Sequence, residues 1–247
     1  MKRIRLVVAY DGTHYHGWQI QPGAVTIESV LNEALTQLMR EPIQVIGASR
    51  TDSGVHSRGN VAVFDTESQM PPDKICMALN QRLPEDIRVQ VSEEVPFDWH
   101  PRKCACVKTY EYRILNRRIN MPMERLYSYF CYFKLDVDRM QEAAAMLTGE
   151  HDFKSFCSVR TQVTDTVRTI YTIDVAKNAD DIISIRVTGN GFLYNMVRII
   201  AGTLMAVGTG QIRPEDMTSI LEAKDRRAAG PTAPARGLTL IEMKYDL

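Results

Sequence analysis

An aspartate, Asp52, stands in a polar loop between two stretches that are rich in β-branched residues. Arg50 lies two residues before it and Gly54 two residues after it, within the run ASRTDSGVH at residues 48–56. A carboxylate in such a place can act as a nucleophile, or it can simply accept hydrogen bonds from the backbone of its own turn. Because loops between rigid strands often carry the chemistry of a protein, Asp52 is the first candidate for a functional residue.

Two further side chains, a tyrosine and an arginine, could take part in chemistry. Tyr110 lies in an alternating, strand-like run, where an aromatic residue is most often part of the core. Tyr112 would share its face in an ideal strand, so the pattern does not choose between them. Arg198 interrupts an apolar, helix-like run. It is either a surface residue whose stem packs along the helix or a buried cation that needs an anionic partner.

The histidines, cysteines and glycines predict no metal and no cofactor. The five histidines are scattered along the chain: His14, His16, His56, His100 and His151. None of them is at ligand spacing from His56, and the five cysteines include no Cys-x-x-Cys pair. The run from Gly189 to Gly191 lacks the third glycine of a dinucleotide site. The odd number of cysteines favours reduced thiols, as in a cytoplasm.

Charge and hydropathy limit the class of protein. Thirty basic and 30 acidic residues in a chain of 247 give a net charge of zero at pH 7. This balance counts against a nucleic-acid partner, since phosphate binding is largely electrostatic, but a neutral protein can still gather arginines along one cleft. The longest apolar run, residues 196–207, is interrupted by Arg198 and Gly202. Because no secretory cleavage site follows the N-terminus, we expect a cytoplasmic protein without a membrane span.

The elements that must position these side chains alternate between strands and helices. Strands are predicted at 4–9, around Val45, around Val63, and at 87–91, 107–115, 169–175, 182–188 and 238–243. Helices are predicted from the N-cap Thr26 to Leu38, from Pro71, at 137–147 with Gly149 as the stop, at 192–207, and from Pro214.

The order of these elements suits two split β-α-β units. We therefore expect an α+β protein with two ferredoxin-like halves, whose antiparallel or mixed sheets join around a central cleft. The predicted halves are residues 1–104, with the Asp52 loop, and 105–247, with Tyr110 and Arg198.

The run at residues 48–56 resembles the catalytic loop of the TruA family of tRNA pseudouridine synthases. Five other segments resemble this family in the same order along the chain. They are YDGT with GWQIQP at 10–22, WHPR at 99–102, KTYEY at 108–112, GNGFLYNMVR at 189–198 and APARGL at 233–238.

The resemblance implies the pseudouridine synthase fold and an activity. Uridine would be isomerised to pseudouridine at positions 38, 39 and 40 in the anticodon stem-loop of tRNA, without a cofactor, by a cytoplasmic homodimer. Asp52 would be the nucleophile, Tyr110 would pack on the target base, and Arg198 would pair with Asp52. Arg50 would help to displace the base and contact phosphate. Further candidates for tRNA contact are Arg58, Arg102 and Arg168.

Some departures from the family pattern leave alternatives open. Ser49 replaces a common glycine, Asn60 a common glutamine and Arg236 a more usual histidine. A paralogue could therefore act on another RNA or on a different subset of tRNA uridines. A non-catalytic RNA-binding module of this fold would usually carry an aromatic RNP string, which is missing. A retaining glycosidase would need a second carboxylate, and none lies within the matching motifs.

Overall fold

The computed structural model describes residues 1–159 and 163–245, and these form two compact units. The first unit contains Met1–Cys106 together with residues 240–245, and the second contains the described residues of Val107–Thr239. Strands and α-helices occur in both, so the predicted α+β class is confirmed. The division at residues 104 and 105 stays a prediction, and in the structure the C-terminal strand groups with the first unit.

The first unit is a ferredoxin-like arrangement of strands and two helices. Its elements are β1 (Lys2–Tyr10), α1 (Ile27–Met39), β2 (Ile46–Gly47), β3 (His56–Thr66), α2 (Pro72–Asn80) and β4 (Ile87–Val95). The strand order is β4-β1-β3-β2, and each neighbouring pair is antiparallel. β1 and β2 therefore run parallel with β3 between them, which is the split β-α-β plan. The C-terminal strand, Leu238–Tyr245, is also a neighbour of β3.

Helix α1 shows how local sequence sets these elements. The Thr26 hydroxyl accepts a hydrogen bond from the Ser29 amide, and the Ser29 hydroxyl accepts one from the Thr26 amide, so a capping box starts the helix. Ile27, Leu31 and Leu35 are fully buried at helical spacing. The helix ends at Met39, and its C-cap residue Arg40 adopts the left-handed conformation.

The second unit also combines strands and helices, in a longer order than the first. They are β5 (Cys106–Asn116), β6 (Tyr129–Cys131), α3 (Val137–Ala145), β7 (Gly149–Asp152), β8 (Val167–Lys177), β9 (Ile182–Gly189), α4 (Met196–Gly208) and α5 (Asp216–Ala223). Strand β10 is Leu238–Tyr245, and short 3-10 helices cover Pro122–Glu124, Lys154–Phe156, Arg226–Ala228 and Ala235–Gly237. The strand order β5-β9-β8-β7 is antiparallel, whereas β6 lies parallel to β5.

Three boundaries differ from the sequence predictions. The strand expected around Val45 is limited to Ile46–Gly47. Helix α4 begins at Met196 instead of residue 192, because Asn195 has a left-handed backbone with φ of 62°. Helix α3 ends at Ala145, and Gly149, with φ of 106°, opens β7 instead of capping the helix. Among the residues that the structure describes, no helix is long and apolar enough to cross a bilayer.

Candidate active site

The Asp52 loop joins β2 to β3 and lies against the segment that follows β1. The Trp18 amide donates a hydrogen bond to the carbonyl of Thr51 over 3.0 Å. On the other side of Asp52, the Ser53 hydroxyl donates to the carbonyl of Tyr15 over 3.1 Å. The residues immediately before and after the half-buried Asp52 are therefore both attached to one neighbouring segment.

Glycines allow these two segments to approach so closely. A Cβ atom on Gly17 would lie 2.5 Å from the carbonyl oxygen of Thr51, and Gly17 also has φ of 86°. A Cβ atom on Gly12 would lie 2.0 Å from the carbonyl oxygen of Val55. Only a residue without a side chain fits at either position.

Buried polar side chains on β1 and β3 form hydrogen bonds to the residues just before Asp52. The hydroxyl of Tyr10 lies 2.7 Å from that of Thr51. Asn60 is fully buried, and its side-chain amide donates to the carbonyl of Ser49 over 3.0 Å while its Oδ1 accepts from the Ser49 amide over 3.2 Å. The two departures from the family pattern near the loop, Ser49 and Asn60, thus contact each other.

His56 follows the Asp52 loop and is the first residue of β3. It is 4% exposed, and its Nδ1 lies 3.1 Å from both the Gly12 amide nitrogen and Oδ1 of Asp11. The Asp11 carboxylate also accepts from the amide and the hydroxyl of Thr13. Within residues 1–159 and 163–245, no cluster of His, Cys, Asp and Glu side chains could hold a metal ion.

Two arginines of the first unit lie near each other beside this loop. Nε of Arg102 donates to the carbonyl of Gly47 over 2.7 Å. Burial lowers the pKa of Arg102, and the positive charge of Arg50 lowers it further, while Glu28 acts in the opposite direction. Arg50 is exposed, as is Arg58 on β3. Two cations that repel each other at the surface favour the binding of an anion between them.

In the second unit, the structure distinguishes the two tyrosines of β5. The ring of Tyr110 meets the ring of Phe192 edge to face, with centroids 5.2 Å apart. Tyr112 is fully buried, and its hydroxyl donates to the carbonyl of Pro234 over 2.9 Å. Burial raises the pKa of Tyr112 well above its usual value. Both tyrosines are buried, but Tyr112 is fully enclosed in the core, whereas Tyr110 is 7% exposed and forms an aromatic pair with Phe192 of the segment at 189–198.

Arg198 lies in the first turn of α4, and its guanidinium bonds to protein acceptors. Nε donates to the carbonyl of Ala233 over 2.7 Å, and Nη1 donates to Oδ1 of Asn195 over 2.9 Å. The Ala233 amide in turn donates to the carbonyl of Arg198 over 3.0 Å. The arginine is half-buried, and its guanidinium is held by these contacts instead of extending along the helix surface.

Arg168 lies on β8 beside the segment at residues 189–198. Its Nη1 donates to the carbonyl oxygens of Val167 and Asp165. A Cβ atom on Gly191 would lie 3.7 Å from the side chain of Arg168. The half-buried arginine is therefore next to the turn that leads from β9 to Phe192 and α4.

The candidate residues thus fall into two groups, one in each unit. The first unit carries Asp52, Arg50, Arg58 and Arg102, and the second carries Tyr110, Arg168 and Arg198. Phe192 and Asn195 have no role predicted from the sequence, although both lie in the segment at 189–198 that resembles a family motif. Phe192 contacts Tyr110, and Asn195 accepts a hydrogen bond from Arg198. These contacts cannot be read from the sequence alone.

The chain is similar to known proteins along nearly its whole length. The chain matches the family described as tRNA pseudouridine synthase over residues 6–102 and 143–246. A protein named tRNA pseudouridine synthase A from Brevibacillus brevis (strain 47 / JCM 6285 / NBRC 100599) is 49% identical over 245 residues, which cover 99% of this chain and 100% of that protein. Proteins of the same name from Ruminiclostridium cellulolyticum and Thermoanaerobacter sp. (strain X514) are 48% and 46% identical, again over 99% of this chain and 100% of each relative.

The family match covers both units, and the relatives align from end to end. The resemblance inferred from the Asp52 loop and the five further segments is therefore confirmed. This chain belongs to the TruA family of tRNA pseudouridine synthases.

Proposed function

We propose that this protein isomerises uridine to pseudouridine at positions 38, 39 and 40 in the anticodon stem-loop of tRNA, with Asp52 as the nucleophile. The observation that carries the proposal is the position of Asp52. Its carboxylate is half-buried, on a loop whose flanking residues, Thr51 and Ser53, are fixed by hydrogen bonds to one neighbouring segment. Such preorganisation suits a group that must attack one defined carbon atom.

The reaction exchanges one bond of the sugar for another. The bond between C1′ and N1 breaks, the base rotates, C1′ bonds to C5, the proton on C5 is released to solvent, and N1 takes up a proton. The proton lost from C5 is matched by the proton gained at N1 and no electrons are transferred, so neither an oxidant nor a cofactor is needed. Asp52 can form a transient covalent bond either to the ring or to the sugar, and it leaves again in both cases.

Tyr110 and Arg198 would support this step in different ways. We propose that the ring of Tyr110 packs on the displaced base, since aromatic rings are good platforms for flipped bases. Its edge-to-face contact with Phe192 supports this role, because the contact restrains the orientation of the Tyr110 ring. Arg198 would pair with Asp52 and keep the carboxylate ionised.

The arginines would bind the tRNA backbone. Arg50 and Arg102 lie close enough to lower the pKa of Arg102, so a phosphate between them would relieve their repulsion. Arg50 would also help to displace the target base. Arg58 and Arg168 are the further candidates for contact with tRNA. A local group of this kind is compatible with a net charge of zero for the whole chain.

We also propose a cytoplasmic homodimer. All five cysteines are free thiols in the structure, which suits a reducing compartment. Large apolar side chains are exposed between β5 and α3, in one short part of the second unit. They are Ile119, Met123, Tyr132 and Phe133, which are 55–80% exposed. Exposed apolar side chains of this size support contact with a second copy, and light scattering on the purified protein would give the mass that tests it.

Tritium release from tRNA labelled at C5 of uridine tests the activity. We expect release from a tRNA that is labelled at all of its uridines, and none when the uridines at positions 38, 39 and 40 are replaced by cytidine. Release that persists after this replacement would favour a paralogue with other target uridines. Tight binding of tRNA without any release would favour the non-catalytic RNA-binding module.

A further inference from the structure

We infer that Asn195 is a positioning residue, which aims the guanidinium of Arg198 from the turn before α4. The inference rests on the proposed role of Arg198 as the partner of Asp52. It assigns to the amide of Asn195 a function that is separate from starting the helix. Three features of the second unit carry it, namely the unusual backbone of Asn195, the acceptors of Arg198 and the packing of the C-terminal loop.

The backbone of Asn195 is in a conformation that few side chains adopt. Its φ is 62°, in the left-handed region, where asparagine is tolerated better than most residues that carry a Cβ. An asparagine at a helix N-cap usually accepts a hydrogen bond from a backbone amide of the first turn. Asn195 makes no such capping bond, and Oδ1 instead accepts from Nη1 of Arg198 over 2.9 Å. The side chain of Asn195 therefore bonds to the guanidinium of Arg198 and does not cap the helix.

The second acceptor of Arg198 is a backbone carbonyl that cannot easily move. Nε donates to the carbonyl of Ala233, whose amide donates back to the carbonyl of Arg198. A Cβ atom on Gly202 would lie 1.8 Å from the carbonyl oxygen of Pro231, so the loop lies directly on α4. One residue earlier, the Gly230 amide donates to the hydroxyl of Thr203 over 2.9 Å.

These two acceptors define the orientation of the guanidinium. A guanidinium is planar, so hydrogen bonds from two of its nitrogens, Nε and Nη1, fix both its direction and its plane. Both acceptors are neutral oxygens, one from an amide side chain and one from the backbone. They orient Arg198 without cancelling its positive charge, which an anionic partner needs. An aspartate at position 195 would orient the group equally well but would compensate its charge.

The test separates this role from a structural one. Asn195→Gly removes the acceptor while glycine accepts a φ of 62° without strain. We expect kcat for tritium release to fall about tenfold, with KM within about twofold of wild type and Tm within about 3 °C. Arg40→Gly is the matched control, because Arg40 also has a left-handed backbone, with φ of 60°, at the end of α1. We expect wild-type kcat from this control.

The same substitution in an Arg198→Met background shows whether Asn195 acts through Arg198. We expect Asn195→Gly to change kcat by less than about twofold there, since the group that it positions is already gone. An equal loss in both backgrounds, or no loss in either, would overturn the inference. Asn195→Asp must also slow turnover, because its carboxylate would compensate the charge of Arg198, and a wild-type rate in this variant would count equally against it.

A measurement that does not depend on turnover distinguishes the failure of this inference from failure of the proposed function. Nitrogen-15 NMR of the Arg198 side chain reports rotation about the bond between Nε and Cζ. We expect slow rotation in the wild type and faster rotation in Asn195→Gly. Equal rotation in the two proteins would refute the positioning role whatever the activity. If the rotation changes but Arg198→Met keeps full activity, the proposed catalytic role of Arg198 is wrong instead.

Discussion

The hydroxyl of Tyr10 lies 2.7 Å from the hydroxyl of Thr51, so the last residue of β1 is bonded to the residue immediately before Asp52. Strand β1 lies between β3 and β4 and is paired along both edges. The Asp52 loop is therefore bonded to a strand that has a neighbour on each side. This relationship gives a loop residue the fixed position that the proposed nucleophilic attack would require.

Replacement of Asp52 by asparagine should abolish isomerisation and leave the fold intact. Asparagine has almost the same shape but cannot form the covalent intermediate. We expect kcat for tritium release to fall at least about a thousandfold, with an unchanged Tm and unchanged binding of tRNA in a filter assay. A Tm lowered by many degrees would instead assign Asp52 a structural role in its turn.

Gly17→Ala should damage both stability and activity through the Asp52 loop. The new methyl group would lie 2.5 Å from the carbonyl oxygen of Thr51, at a residue with φ of 86°. We expect the free energy of unfolding to drop by about 2 kcal/mol or more. Gly23→Ala is the matched control, since Gly23 has φ of 71° but no atom within 4 Å of the position of a Cβ. Similar losses in the two variants would mean that backbone strain alone, and not contact with the loop, is responsible.

Two substitutions of Tyr110 should separate its ring from its hydroxyl. If stacking is the main task, Tyr110→Phe keeps base docking and Tyr110→Leu loses it. If the hydroxyl also transfers a proton, Tyr110→Phe loses turnover as well. Single-turnover rates of tritium release decide between these outcomes. Tyr112→Phe is the control, because it removes a hydrogen bond to the carbonyl of Pro234 and should lower stability by about 1 kcal/mol without slowing the reaction.

Arg198→Met should move the acid limb of the pH–rate profile to higher pH. A cation that pairs with Asp52 lowers the pKa of its carboxylate, so removal of the cation raises that pKa. The variant should therefore lose activity at a higher pH than the wild type as the solution is acidified. Methionine keeps an apolar stem of similar length, which limits the loss of packing. An unmoved acid limb with near wild-type activity would contradict the pairing.

Asp152→Asn should reduce stability in a pH-dependent manner. The hydroxyl of Thr166, 2.5 Å away, lowers the pKa of Asp152 below its ordinary 3.8, and Lys224 also contributes. A depressed pKa in the folded state adds stability above the pKa of the unfolded chain, and this stability is lost as the pH falls through the folded value. We expect the free energy of unfolding of Asp152→Asn to be about 1 kcal/mol lower than that of the wild type at pH 7. Well below pH 3.8 the two proteins should be equally stable. Asp180→Asn, on an exposed turn, is the control for urea unfolding at both pH values.

The features that the sequence predicts correctly are those that depend on near neighbours. Thr26 begins α1 as expected, since its partner Ser29 is three residues away. The strand expected around Val45 is shortened because the Val45 amide donates to Oδ1 of Asn32, a side chain of α1. A bond of this kind depends on how the chain folds back, so hydrophobic periodicity does not reveal it.

The same limit applies to the candidate site. Motif resemblance identified Asp52, Tyr110 and Arg198 as candidates, and it identified the family, which the comparisons confirm. It could not predict that Ala233 accepts from Arg198, because these residues are 35 positions apart. It also could not predict that Asn60 binds the backbone of Ser49, since each was noted only as a departure from the family pattern.

The pairing of β10 with β3 has a consequence for synthesis on the ribosome. Residues 240–245 belong to the first unit, yet the ribosome translates them only after the whole of Val107–Thr239. An N-terminal unit usually folds as it emerges, but here one edge of β3 remains unpaired during that interval, except at Ala62 and Val63, which pair with β2. The contact between Gly59 and the backbone of Ile241 would be among the last to form. A nascent or truncated chain that ends before β10 should therefore expose an unpaired strand edge and aggregate more readily than the full chain.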